Sequence, residues 1–149
     1  MRAVLTRVRS ASVVIDGSTV GQIGRGFLIL LGIGPEDTRA DATRLAEKLL
    51  SLRVFTDPDG KMNLGLEQVG GQVLVVSQFT LFGSVRKGRR PSFVGAAPPE
   101  HAEPLYEFFL AECARLGFPP QHGEFGASMQ VSSVNDGPVT LWVDTDELA

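Results

Sequence analysis

The sequence predicts an α+β fold, a single compact strand-rich domain carrying two main helices. Polar and apolar residues alternate from the start of the chain. Two short apolar runs bounded by glycine occupy residues 26–33 and 72–82, and apolar residues recur at helical spacing over 37–52 and 100–116. Alternation marks a half-buried strand, a short continuous apolar run suits a strand buried on both faces, and a repeat of three to four residues marks an amphipathic helix. A length of 149 residues fits one domain. No repeat, low-complexity linker or shift in composition divides it.

Residues 2–8 and 12–15 read as an opening strand, which Asp16-Gly17, a dipeptide suited to positive φ, turns into a hairpin. The glycines Gly21, Gly24 and Gly26 have the wrong order for a dinucleotide loop and precede no helix, so they read as hairpin turns. GFLILLGI over 26–33 is a buried central strand ended by Gly34-Pro35. In the first helix Ala40, Leu45, Leu49 and Leu52 share a face, with acids early and Lys48 and Arg53 late to complement the helix dipole. Asp57-Pro58-Asp59-Gly60 is a turn, and the segment onward to Gly70-Gly71 is expected to be a loop anchored by Leu64 and Leu66. QVLVVSQFTLF over 72–82 is a second buried strand. A second helix follows Pro98-Pro99, turns Ala102, Leu105, Phe108 and Phe109 inward, and stops at Gly117. Alternation at 129–131 and 139–143 around Asn135-Asp136-Gly137-Pro138 predicts a terminal hairpin.

Hydrophobic residues make up 43% of the chain and charged ones 21%, which excludes a disordered or membrane-spanning protein. Met1-Arg2-Ala3 leads into the first strand without the apolar segment of a secretory signal, so a cytoplasmic protein is expected. Cys113 is the one cysteine and there are two histidines, a poor donor pool that predicts neither disulfide, metal nor cofactor. A net charge of −3 argues against broad charge-driven binding to nucleic acid, so any RNA contact is local. The one concentrated basic segment holds Arg86, Lys87, Arg89 and Arg90, and its plain reading is a solvated loop.

Conventional side-chain catalysis has little support in the sequence. No Gly-x-Ser-x-Gly elbow is present. His101 and His122 read as surface residues, Cys113 as a packed thiol, and Glu103, Glu107 and Glu112 as a solvated helix face. Two segments remain. At Ser77-Gln78-Phe79-Thr80 an apolar strand turns polar without a turn residue; these groups serve either strand-end hydrogen bonding or function. Gly137-Pro138 is either an ordinary hairpin loop or a device that fixes a main-chain carbonyl, since X-Pro is the linkage where a cis bond is cheap.

SQFTL at 77–81 and NDGPVT at 135–140 resemble the paired motifs of the D-aminoacyl-tRNA deacylases. The resemblance extends to MRAVLTRVRSASV at the start, KGRRPSF at 87–93, Leu105-Tyr106-Glu107 and Phe125-Gly126-Ala127-Ser128-Met129. It implies a barrel-like sheet and a cytoplasmic homodimer acting on the 3′ end of aminoacylated tRNA, with active sites at the interface. Ser77, Gln78, Phe79 and Thr80 would surround the ester, with the Phe79 N–H as oxyanion donor and Met129 and Ala127 lining the pocket. Gly137-Pro138 of one subunit, joined by a cis peptide, would enter the other subunit's pocket and reject L-amino acids, while glycine would pass. The tRNA's terminal 2′-hydroxyl would help activate water, and Arg86, Lys87, Arg89 and Arg90 would contact acceptor-stem phosphates. The residues alone also admit a non-catalytic tRNA-binding module, or a small-molecule esterase working through Ser77 or Thr80.

Overall fold

In the computed structural model, which describes residues 1–149, the alternating start of the chain becomes one long strand on which the rest is hung. β1 (Arg2–Ile15) pairs antiparallel with β3 (Gly26–Gly32) along its first half and with β2 (Ser18–Ile23) along its second. Its other edge carries β8 (Gln130–Asp144), also antiparallel. β6 (Gln72–Ser77) lies parallel to β3, and the two-residue β7 (Gln121–His122) lies parallel to β6. β2 then bends back toward β7, so the sheet is nearly closed into a barrel. Gly21 lies within β2 rather than in a turn, and a Cβ there would stand 2.9 Å from the His122 carbonyl oxygen.

The two apolar runs are strands buried on both faces. Phe27, Ile29 and Leu31 of β3, with Val73 and Val75 of β6, join the main core. Their alternates Leu28, Leu74 and Val76 join a smaller one with Val8, Val13 and Ile23. The main core is completed by α1 (Arg39–Leu50), through Ala42, Leu45, Ala46 and Leu49, and by α3 (Pro99–Arg115), through Ala102, Leu105, Tyr106, Phe109 and Cys113. Asp41 at the third position of α1 accepts the Thr38 N–H at 2.8 Å, closing a capping box.

Four further expectations are corrected. The strand predicted over 72–82 stops at Ser77. Gln78 N–H makes the last rung, to Leu31 O at 2.7 Å, and because β3 ends at Gly32 the chain folds into a 3₁₀ turn, Phe79–Phe82. The terminal hairpin does not form, because both of its halves pair with β1 and run on as the single strand β8. The segment after Asp57 is not a loop throughout. It holds a small hairpin of β4 (Phe55–Thr56) and β5 (Met62–Leu64), then a short helix, α2 (Leu66–Val69), whose Leu66 is buried as the anchor. Glu112 does not belong to a solvated face. It is buried, takes hydrogen bonds from Thr43 Oγ1 at 2.5 Å and Arg115 Nε at 2.7 Å, and the Arg115 hydrogen bond holds its carboxyl below the usual range.

Candidate active site

The polar end of β6 leaves the sheet because its strand loses its partner there. Beyond Gln78 the backbone closes on itself, Leu81 N–H donating to Gln78 O at 3.2 Å and Gly83 N–H to Thr80 O at 2.9 Å. The N–H groups of Phe79 and Thr80, at the head of this turn, have no partner within it. Gln78 donates its side-chain amide to Thr80 Oγ1 at 2.5 Å, and Phe79 stands 55% exposed.

Two cavities meet at the head of this turn. The larger, about 380 Å³, is apolar, with Leu31, Ile33, Ala97 and Ala102 at its floor and Phe93 and Phe125 among its walls. The smaller, about 230 Å³, is closed by Ala127, Met129 and Val131. Ser77, Gln78, Phe79 and Gly126 line both. The structure therefore brings Ser77, Gln78 and Phe79 together with Ala127 and Met129. Thr80 is bonded to Gln78 and lines neither cavity.

Gly137 and Pro138 stand elsewhere. Thr6 faces Thr140 across the ladder and Val8 faces Asn135, so Arg7 alone stands opposite Asp136, Gly137, Pro138 and Val139. The surplus residues bulge from β8. The Gly137–Pro138 peptide is cis, both residues are exposed, and neither lines a cavity named above. Arg7 holds the bulge from behind. Its buried guanidinium donates through Nε to Asp136 O at 3.0 Å and through Nη1 to Val54 O at 2.5 Å, and lies 3.3 Å from the Asp136 carboxylate. Asn135 adds a side-chain donor to Arg7 O at 3.0 Å.

The basic residues Arg86, Lys87, Arg89 and Arg90 occupy the tip of an exposed loop closed by paired Ser84 and Ser92, and none is in an ion pair. One residue beyond the closure, Phe93 meets Phe79 edge to face at 5.3 Å. The loop thus reaches the larger cavity through an aromatic contact that the sequence did not disclose.

Conventional catalytic groups lie elsewhere. His101 Nε2 is engaged with Asp37 O at 2.8 Å and His122 Nδ1 with Gly123 O at 2.7 Å. Burial pushes the Cys113 thiol up to about 12. No three His, Cys, Asp or Glu side chains are grouped to hold a metal ion.

Comparison with known proteins places the chain in a family. The family model for D-Tyr-tRNA(Tyr) deacylase matches residues 4–144. The chain belongs to the D-Tyr-tRNA(Tyr) deacylase family. This deacylase is 59% identical over 145 residues to a D-aminoacyl-tRNA deacylase of Desulfatibacillum aliphaticivorans, covering 97% of this chain and 99% of the relative. It is 57% identical to the D-aminoacyl-tRNA deacylase of Thermus aquaticus, covering 99% and 97%. Among solved structures, the c-Myc DNA Unwinding Element Binding Protein superposes with a TM-score of 0.90 at 43% identity, covering 97% of this deacylase and 98% of that chain. A protein described as a probable eukaryotic D-amino acid tRNA deacylase shares the fold, with a TM-score of 0.80 at 19% identity over 95% and 97% of the two chains.

Proposed function

We infer that this deacylase hydrolyses the ester joining a D-amino acid to the 3′ end of tRNA, and that the ester lies across Ser77, Gln78 and Phe79. The observation that carries this reading is the wall these residues share between two cavities, which gives the two sides of an ester separate room. The larger, with Phe93 and Phe125, suits the terminal base, since aromatic walls stack bases of any identity. The smaller, against Ala127 and Met129, takes the aminoacyl end.

Water attacks the ester carbonyl carbon, the bond to the ribose oxygen breaks, and that oxygen leaves with the proton. The Phe79 N–H donates to the developing oxyanion, a contribution of ~3–4 kcal/mol for one such donor. The family resemblance supports the further reading that the tRNA's own terminal 2′-hydroxyl helps activate the water, since Thr80 is bonded to Gln78 and has no base beside it.

Chiral selection and dimerisation belong together in this reading. Residues 130–138 are exposed except for a half-buried Asp136, and they form a sheet edge with Val134 53% exposed. Exposed edges of this length invite pairing. A second copy of the chain covers the edge and brings Gly137-Pro138 into its partner's pocket, where main-chain carbonyls exclude an L side chain and let glycine pass. Arg86, Lys87, Arg89 and Arg90 meet acceptor-stem phosphates. Such a substrate is met in the cytoplasm, and no helix of the protein is long and apolar enough to cross a membrane.

A deacylation assay with D-, L- and glycyl-tRNA tests the reading. D-aminoacyl- and glycyl-tRNA are expected to be hydrolysed while the L-form survives. Equal loss of both enantiomers defeats the selectivity, and binding of tRNA without release of amino acid leaves a nucleic-acid-binding module.

A further inference from the structure

The turn that carries Phe79 rests directly on backbone. A Cβ at Gly32 would stand 3.0 Å from both Gln78 O and Leu81 Cβ, and one at Gly34 would stand 2.9 Å from the Phe82 ring. Directly across the ladder from Gly32 is Arg2. Its Nη1 donates to Leu81 O at 3.0 Å, and its guanidinium carbon lies 4.3 Å from the centre of the Phe82 ring and 5.6 Å from that of Trp142. Its Nε donates to Asp144 Oδ2 at 3.0 Å, while Asp144 Oδ1 accepts the Asp146 N–H at 3.0 Å, so the anchoring carboxylate is itself fixed.

We propose that Arg2 is a positioning residue for the ester site, locking the 3₁₀ turn through the Leu81 carbonyl and the Phe82 ring so that the Phe79 N–H keeps its place between the two cavities. The proposal rests on the reading that the ester lies on this turn. A 3₁₀ turn of four residues has weak internal geometry, and its two flanking hydrogen bonds do not fix its tilt. The clamp supplies that constraint at the end remote from the chemistry. It needs the planar fork of arginine, because one nitrogen bonds a carbonyl and another a carboxylate while the flat face lies on an aromatic ring. An exposed ion pair linking only β1 to β8 would contribute little and leave the turn indifferent to its loss.

The test compares Arg2→Met, Arg2→Ala, Arg2→Lys and Asp144→Asn in the full chain by two readouts. In steady-state deacylation of D-aminoacyl-tRNA, Arg2→Met is expected to lower kcat by about 10- to 100-fold, as displacement by an ångström does elsewhere, with KM nearly unchanged. Arg2→Lys and Asp144→Asn fall between it and the parent protein. Added guanidinium ion at low millimolar concentration restores part of kcat to Arg2→Ala, whose short side chain leaves room for it, and none to the parent, which a loss of general stability does not explain. In amide hydrogen exchange, the N–H groups of residues 79–83 exchange faster in Arg2→Met while those of β3 and β6 do not. Unchanged kcat and exchange in a folded Arg2→Met, or a loss that neither lysine nor guanidinium relieves, overturns the proposal. Should Arg2→Met fail to fold, Asp144→Asn with parental kcat and parental exchange overturns it equally. A parent protein inactive on every aminoacyl-tRNA defeats the assignment of the ester, whereas the exchange measurement still decides whether Arg2 holds the turn.

Discussion

The 3₁₀ turn after β6 and the bulge in β8 are both main-chain devices, and they differ in what they face. The head of the turn lines two cavities of its own chain, whereas the bulge stands on an exposed edge and lines neither. Each is held by an arginine of β1 that grips one carbonyl, Arg2 through Leu81 O and Arg7 through Asp136 O. The grips differ too. The Arg2 side chain is one-third exposed at 33%, while that of Arg7 is sealed at 7% between the bulge and Val54. Each main-chain device is thus fixed by a side chain behind it, and the two side chains differ in burial as the devices differ in what they face.

The comparison is broken most severely by removing whatever covers the edge. Val134→Asp places an unpaired charge on the face assigned to the second copy. It is expected to give a monomer by analytical ultracentrifugation and to lower deacylation roughly a hundredfold. A monomer with full activity would show that the bulge serves its own chain. Arg7→Ala attacks the bulge from behind. Leaving the Asp136 and Val54 carbonyls without their donor should lower unfolding free energy by about 3 kcal/mol and narrow the ratio of D- to L-aminoacyl-tRNA hydrolysis. Chemical denaturation and paired rate measurements check both, and an unchanged ratio in a folded protein would detach Arg7 from selectivity.

Gly137→Ala sharpens the distinction between the two halves. A Cβ there would meet only the Asn135 side chain, at 3.6 Å, so the chain itself accommodates it. Melting temperature should stay put while D-aminoacyl-tRNA hydrolysis falls by about tenfold, the loss arising in a partner's pocket. A fall in both quantities would locate the clash within the chain instead. The smallest effect is expected at the basic loop. Arg89→Ala combined with Arg90→Ala should raise KM about threefold and flatten its dependence on salt, with kcat preserved. Salt dependence identical to that of the parent would return these residues to the role of a solvated loop.

Much of this was legible in the chain. β3 and β6 read as buried strands because both faces meet a core, and α1 and α3 read as helices because one face does. Ser77, Gln78 and Phe79 stood out in the sequence because polar groups ended an apolar run. What escaped depends on partners distant in sequence. The turn at Phe79 forms because β3 runs out at Gly32, a fact about another strand. The two arms around Gly137-Pro138 resembled a hairpin, since alternation gives the period of a strand and not its neighbour. Arg7 occupied a polar place in an alternating strand and gave no sign of burial, because its acceptors come from Val54 and Asp136. Phe93 reaches the larger cavity only because the loop closes at Ser84 and Ser92.

The chain has one tyrosine and one tryptophan, and the fold has separated them. Tyr106 is enclosed in the helix-side core with its hydroxyl donating to Val75 O at 3.2 Å, and burial raises its phenol above the ordinary range. Trp142 stands half exposed on β8, in reach of Arg2. The molecule thus carries two optical probes for two separate events. Tyrosinate absorbance in alkali reports the opening of the core, and indole emission reports what happens along the edge while that core stays shut.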